Sequence, residues 1–147
     1  MEENANTLQF GAEFEAVSCL SNAEVAVVLE KQKETYEMKD INVTPAFAKT
    51  MAYAKRYGGS GDAKKLMMAT TQLREDLTQF EAFHDGEVVK LEQFEMAQLA
   101  NLMQADSEVE EAIALIPSLS TRFNEEDIEN ILAIVQKQAQ SQFSSFN

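Results

Sequence analysis

The feature that most constrains the fold is a helical spacing of apolar residues along almost the whole chain, with few residues that break helices. The 147 residues include five Gly and two Pro, and no internal repeat or low-complexity tract. Apolar side chains recur every three or four positions, which places them on one face of an α-helix. The sequence therefore predicts a mostly α-helical protein of a single ordinary domain's length, large enough to bury its own core.

Capping residues predict where the first helices begin and end. Ser21-Asn22-Ala23-Glu24 fits a capping box, so a helix is expected from there to about Met38. Thr44 and Pro45 suit the cap and first turn of a second helix. Gly58-Gly59-Ser60-Gly61 ends that helix as a flexible linker, and Asp62 can cap a third.

The second half of the chain contains similar residues that start and stop helices. His84-Asp85-Gly86 predicts a turn, followed by a fourth helix from about Glu87 to Met103. Asp106 is expected to cap a short helix that Pro117 stops, and Asn124 opens the last helix. The predicted buried stripe of that last helix is Ile128, Ile131, Leu132 and Val135.

The start of the chain has a different pattern. Leu8-Gln9-Phe10 alternates apolar and polar residues before Gly11, which predicts a short extended segment. A lone strand in a helical protein needs the sheet edge of a partner for its backbone groups. A frayed terminus is the alternative, and the pattern alone does not decide between them.

The charge of the chain narrows the range of partners. Twelve Lys and Arg against 25 Asp and Glu give a formal charge of −13. Such a surface disfavours direct contact with nucleic acid or anionic lipid, and favours a basic partner, a calcium ion or simple solubility. No apolar run exceeds five residues, the length of Val25 to Leu29, which is too short for a membrane span.

The N-terminal residues and the single cysteine suggest a compartment. Met1-Glu2-Glu3-Asn4 is acidic and lacks the apolar stretch of a signal peptide. Cys19 has no second cysteine with which to form an internal disulfide. A reducing compartment, cytosol or nucleus, is therefore expected.

The residues offer little catalytic chemistry. Cys19 and the single histidine, His84, could in principle form a nucleophile pair, but no local signature supports one. His84 is interpreted instead as a solvated turn residue beside Asp85. The glycine cluster lacks the Lys-Ser or Lys-Thr pair of a phosphate loop, and the supply of His and Cys excludes a metal site built from them. We expect no catalytic residue, no metal and no cofactor.

A calcium sensor is the main alternative class, because the chain is small, acidic and helical with nine Phe and seven Met. The best candidate loop places Gly86 at its centre, Val88 at the apolar position and Glu92 at the end. It fails at Glu81, a poor first ligand, and at Phe83, which cannot ligate. An acidic helical adaptor without calcium is the related alternative.

Several segments carry a more specific pattern, and together they resemble the fourth subunits of eukaryotic RNA polymerase II. The segments are Leu8 to Phe14, Cys19 to Val25, Phe94 to Leu102, Glu110-Glu111-Ala112, Ala114 to Leu119 and Arg122-Phe123. The resemblance covers roughly residues 8 to 140. The stretch from Gly58 to about Lys90 departs from it, being longer than expected. Equivalent subunits of RNA polymerase III, plant-specific polymerases and archaeal polymerase are similar.

The resemblance implies a fold and a partner. It implies an N-terminal strand and helices (residues 1–57) that dock on the polymerase's seventh subunit, a linker (58–65) and a helical domain similar to the HRDC module of helicases (66–147). It implies a non-catalytic nuclear protein whose stalk heterodimer contacts the polymerase core and clamp beside the RNA exit channel. The seventh subunit is expected to touch RNA, and this chain neither nucleic acid nor membrane.

The expected partner interface combines the N-terminal segment with one face of the first helix, although packing within the chain could bury that face instead. Its members are Leu8, Phe10, Phe14, Val25, Val28, Leu29 and Tyr36. A charged residue at Phe10 or Leu29 should weaken the heterodimer by about 2 kcal/mol or more. Changes at Leu115, Ile116 and Leu119 should instead lower folding stability, as core truncations do.

Overall fold

The computed structural model describes residues 17–58 and 62–144, together with Ala5 and Leu8. In this part of the chain, helices dominate and a single small hairpin interrupts them, as the sequence predicts for the fold class. The elements are α1 (Asn22–Met38), α2 (Pro45–Gly58), α3 (Ala63–Gln79), β1 (Ala82–His84), β2 (Glu87–Val89), α4 (Gln93–Leu102), α5 (Val109–Leu115), α6 (Ser118–Arg122) and α7 (Glu125–Ser144). None of the helices among these residues is long and apolar enough to cross a membrane.

The predicted caps of the first three helices are confirmed. The Ser21 hydroxyl accepts from the Glu24 backbone N–H, while the Glu24 carboxylate accepts from the Ser21 N–H, which is a complete capping box. The Thr44 hydroxyl accepts from the Phe47 N–H at the start of α2. The Asp62 carboxylate accepts from the Lys64 N–H, so α3 begins inside the segment predicted as linker.

Helices α1 and α2 form an antiparallel pair. The Tyr36 ring, near the end of α1, contacts the Phe47 ring at the start of α2, with centroids 5.7 Å apart. At the other end, Gly58 lies against the first residues of α1. A Cβ at Gly58 would come within 2.3 Å of the Ala23 backbone nitrogen, so only glycine allows this approach.

The main core lies in the C-terminal half, where α3, α4, α5, α6 and α7 pack together. The predicted stripe of α7 is buried, and so are Ile116 and Leu119. Leu115 is 52% exposed, which shows that its assignment to the core was wrong. Pro117 ends α5 as predicted, and the turn that it starts directs Ile116 and Leu119 inward while Leu115 stays on the outer face.

A buried polar network joins residues from the segments that carry the family resemblance. Glu95, on α4, is 0% exposed, and its carboxylate accepts from the Ser118 hydroxyl at 2.8 Å and from the Glu92 backbone N–H at 2.9 Å. The same carboxylate pairs with the Arg122 guanidinium, which also donates to the Lys90 carbonyl. These contacts tie α4 to α6 and to the residue that follows β2.

The predicted start of the fourth helix was wrong. Residues 82–89 form an antiparallel hairpin in which Phe83 lies opposite Val88, and α4 begins only at Gln93. Asp85 and Gly86 both have positive φ, 53° and 79°, as the two central residues of a tight hairpin turn require. The Asp-Gly pair therefore starts a second strand rather than a helix.

Two smaller predictions in this half were also wrong. Asp106 does not cap α5, because the helix begins three residues later, at Val109, with Glu108 at the capping position. His84 is not a free turn residue: its Nε2 lies 2.6 Å from the Asp127 carboxylate at the start of α7. Asn124, by contrast, opens α7 as predicted, since its side-chain oxygen accepts from the Asp127 backbone N–H.

Candidate partner-binding site

The first turn of α1 is fixed to the C-terminal half by one arginine. Arg74, on α3, donates from Nε and Nη2 to the two carboxylate oxygens of Glu24, at 3.1 and 2.5 Å. It also donates to the Cys19 carbonyl at 2.6 Å and to the Gln93 side chain at 2.8 Å. A single guanidinium therefore holds the residues before α1, the start of α1 and the start of α4 together.

A second contact fixes the same helix end. The Asn22 backbone N–H, which has no partner within the helix, donates to the Asn101 side-chain oxygen at 2.8 Å. No sequence motif marks Arg74 or Asn101 as part of this anchor. Their positions are 50 and 79 residues away from their partners, and no local pattern reports a contact of that range.

The electrostatics of the anchor favour an ionised Glu24. Partial burial raises the pKa of its carboxyl, but the hydrogen bonds from Arg74 and from the Ser21 backbone, with the charge of Arg74, outweigh this effect. The pKa is therefore lowered. Farther along α1, the hydrogen bond from Lys55 lowers the pKa of Glu30 in the same way, against a smaller effect of burial. That pair joins α1 to α2 at 2.7 Å.

The predicted interface residues of α1 occupy different environments. Val28 is 53% exposed, while Val25 and Leu29 are half-buried. Tyr36 is half-buried too, and its ring contacts Phe47, so part of its surface is used within the chain.

Of the three N-terminal residues in the predicted interface, the structure describes only Leu8. This residue lies in a turn with φ of 60°, its N–H donating to the Ala5 carbonyl at 3.3 Å, rather than in an extended segment. Phe10 and Phe14 lie outside the described residues.

Exposed apolar side chains cluster in sequence around the anchored start of α1. Val17 and Leu20, just before the helix, are about as exposed as Val28. Surface of this kind on a rigid element is suited to contact with another protein. Val17 and Leu20 are not among the predicted interface residues, although their apolar character next to the capping box can be seen in the sequence.

The remaining groups with possible chemistry are Cys19, His84 and the candidate calcium loop. Cys19 is half-buried before α1, and His84 ends β1 and pairs with Asp127. The candidate calcium loop is the β1–β2 hairpin, with Glu81 paired to Lys90 across it at 3.3 Å. Within the described residues, no group of three or more His, Cys, Asp or Glu side chains is arranged to hold a metal ion.

Comparison with known proteins agrees with the resemblance seen in the sequence. The family model described as RNA polymerase Rpb4 matches residues 19–139. The chain is 35% identical, over 88% of its length and 86% of the relative, to DNA-directed RNA polymerase II subunit 4 of Arabidopsis thaliana. It is 29% identical, over 89% of its length and 85% of the relative, to DNA-directed RNA polymerase II subunit rpb4 of Dictyostelium discoideum. The chain therefore belongs to the RNA polymerase Rpb4 family.

Proposed function

We propose that this protein is a non-catalytic subunit of RNA polymerase II that pairs with the polymerase's seventh subunit as a stalk heterodimer in the nucleus. The family membership and the names of both relatives support a place in that enzyme. Through the stalk, the subunit would support transcription initiation, the position of the clamp and the exit of RNA. The polymerase II type is proposed over polymerase III or plant-specific types because both relatives carry that name.

The observation that carries the pairing is exposed apolar surface next to a rigidly held helix start. Val17, Leu20 and Val28 are all about half exposed. Arg74 and Asn101 already fix the backbone nearby through Glu24 and Asn22. A surface that is ordered before binding loses less conformational entropy on association, so it suits a stable complex.

The structure suggests a ranking within the predicted interface. We propose Val28 as the main anchor on α1, with Leu29 and Val25 contributing their exposed parts. Tyr36 contributes less, because its ring packs on Phe47. The N-terminal segment with Leu8, Phe10 and Phe14 is proposed to become extended on the partner's sheet edge, where its backbone groups would be paired.

The two halves of the chain are proposed to have different roles. Residues 1–57 form the docking part, 58–65 join the halves, and residues 66–147 form the HRDC-like domain that faces the rest of the stalk. The pair-forming surface lies in the first part, while the largest core lies in the second.

The test is complex formation with the seventh subunit by size-exclusion chromatography with light scattering. Wild-type chain should give a stable one-to-one complex, and Val28→Asp should weaken it by about tenfold or more. Leu115→Asp is the matched control, since Leu115 is 52% exposed against 53% for Val28 but lies in the other half. Equal loss in both variants, or in neither, would refute the α1 docking surface. Unchanged pairing of Phe10→Asp would refute strand docking.

A further inference from the structure

The charge of the chain is distributed unevenly. Residues 31–65 hold eight of the 12 Lys and Arg but four of the 25 Asp and Glu, a formal charge of +4, while the rest of the chain carries −17. Helix α2 contains no acidic residue. The net charge of −13 therefore conceals a basic region, and the expectation that the whole surface repels polyanions does not apply to it.

Helix α2 presents its basic and aromatic residues on the side away from the core. Its inward side is marked by Ala54, which is buried, and by Phe47, Met51 and Gly58, which are partly buried. At 100° per residue, four exposed residues with charged or aromatic side chains lie on the opposite side and on the flank that adjoins it, and we call them the α2 outer face. They are Lys49, Tyr53, Arg56 and Tyr57.

The two tyrosines form an exposed aromatic platform. Their ring centroids are 4.7 Å apart, and the residues are 60% and 53% exposed. The Arg56 guanidinium lies 5.4 Å from the Tyr57 ring centroid. Large aromatic side chains stay this exposed at a cost in hydrophobic free energy, and flat ligands with π-faces are their natural partners.

The cations of the α2 outer face are available to a ligand. Lys55 is used by Glu30, at 2.7 Å, but Lys49 and Arg56 pair with no carboxylate in the described part of the chain. Four acidic residues belong to the same region: Glu34, Glu37, Asp40 and Asp62. Charges beyond about 8 Å are largely screened at physiological ionic strength, so carboxylates distant from this face act weakly on it.

We propose that the α2 outer face binds single-stranded nucleic acid, with bases stacked on Tyr53 and Tyr57 and phosphates held by Lys49 and Arg56. An acidic protein segment would use the cations but not the rings. The paired exposed rings therefore favour a polynucleotide over an acidic peptide. Stacking of this kind does not discriminate between bases, so the site is expected to bind RNA regardless of its sequence.

The test uses the full chain without other subunits and a fluorescein-labelled 12-nucleotide oligouridylate, with binding followed by fluorescence anisotropy. Binding in the micromolar range is expected at low salt, with an affinity that falls as salt rises. The double variant Tyr53→Ala, Tyr57→Ala should lower the affinity by about tenfold or more. The double variant Lys49→Gln, Arg56→Gln should reduce the slope of log affinity against log salt by about 1.4, or about 0.7 per phosphate contact.

Matched controls remove the same groups elsewhere. Phe83→Ala deletes a ring on the hairpin that is more exposed, at 69%, than either tyrosine, and Lys137→Gln deletes an exposed cation on α7. Both should bind within about twofold of wild type. Circular dichroism checks that every variant keeps its helices.

Other outcomes would overturn the proposal. Equal losses in the control variants, absence of binding at low salt, or equal competition by polyglutamate would each do so. An oligothymidylate of the same length identifies the sugar preference, because stacking and phosphate contacts are shared by RNA and DNA. The assay contains no seventh subunit, so its result is independent of the heterodimer proposal.

Discussion

Replacing Arg122 by methionine tests whether the charged network between α4 and α6 stabilises the core. Glu95 has 0% exposure, and Arg122 supplies its only cationic partner among the described residues. Removing one partner of a buried ion pair costs about 3–5 kcal/mol, because the remaining charge stays desolvated. Arg122 is about a quarter exposed, so some water reaches the pair and the lower end is expected.

The substitution also removes two smaller contacts. Arg122 donates to the Lys90 carbonyl at 2.8 Å, and its guanidinium lies 5.0 Å from the Phe123 ring centroid. Methionine keeps much of the apolar stem, so packing on the ring is partly retained. A loss of about 3 kcal/mol corresponds to a melting temperature lower by about 6–12 °C for a chain of this size.

The assay is a double-mutant cycle measured by thermal and urea unfolding with circular dichroism. Arg122→Met, Glu95→Gln and the double variant are compared with wild type. If the two side chains interact, the double variant should lose less stability than the sum of the single variants, by about 1–3 kcal/mol. Lys137→Met, at an exposed cation on α7, should change stability by less than about 0.5 kcal/mol.

A strictly additive cycle would refute the reasoning, as would an Arg122→Met variant that melts with the wild type. Either result would mean that the Glu95 carboxylate finds adequate solvation without the arginine.

Three further predictions concern other contacts. Gly58→Ala should destabilise the chain by about 1–3 kcal/mol in urea unfolding, because its Cβ would collide with the start of α1; wild-type stability would contradict this. Leu119→Ala should cost about 2–5 kcal/mol, whereas Leu115→Ala should cost less than about 0.5 kcal/mol, and equal melting shifts would contradict the assigned burial. The pKa of Glu24 is lowered from 4.5, so its stabilising effect is present at neutral pH and is lost as pH falls through the folded-state value. Arg74→Gln should therefore be less stable than wild type at pH 7, with the difference narrowing as the pH falls below 4.5 and then through the lowered pKa of Glu24; a difference independent of pH would contradict this.

Local signals predicted most of the helical framework. Ser21, Thr44 and Asp62 were recognised as caps because a capping residue and its backbone partner lie within three positions of each other. The stripe of α7 was predicted for a similar reason, since its spacing repeats within one helix. Such features depend on residues that are close together in the sequence, so they can be predicted from the sequence alone.

The wrong predictions concern residues whose conformation or burial depends on contacts with residues distant in the sequence. The residues after Gly86 have apolar spacing compatible with a helix, but the positive φ of Asp85 and Gly86 commits them to a strand. Leu115 looks like its neighbour Ile116 in sequence, yet the turn at Pro117 places them on opposite sides. His84 was assigned to solvent because Asp127 is 43 residues away.

The candidate site also depends on contacts between residues that are distant in the sequence. The apolar character of Val28 can be seen in the sequence, but its exposure of 53% cannot, because it depends on which side of α1 packs inward. The environment of Tyr36 depends on Phe47 in the same way. Arg74 looked like any helical arginine, although its side chain holds three segments together.

The buried polar network and the residues proposed to bind partners lie in different parts of the molecule. Glu95 and Ser118 are buried beside the partly exposed Arg122 in the C-terminal half, whereas Val28 and the α2 outer face are exposed in the N-terminal half. Substitutions in the first group should therefore act through the free energy of unfolding, and substitutions in the second should change affinity at an unchanged melting temperature. Measuring both quantities on each variant separates the two roles. A variant of the exposed group that lost affinity only in proportion to its loss of stability would show that the site had been misassigned.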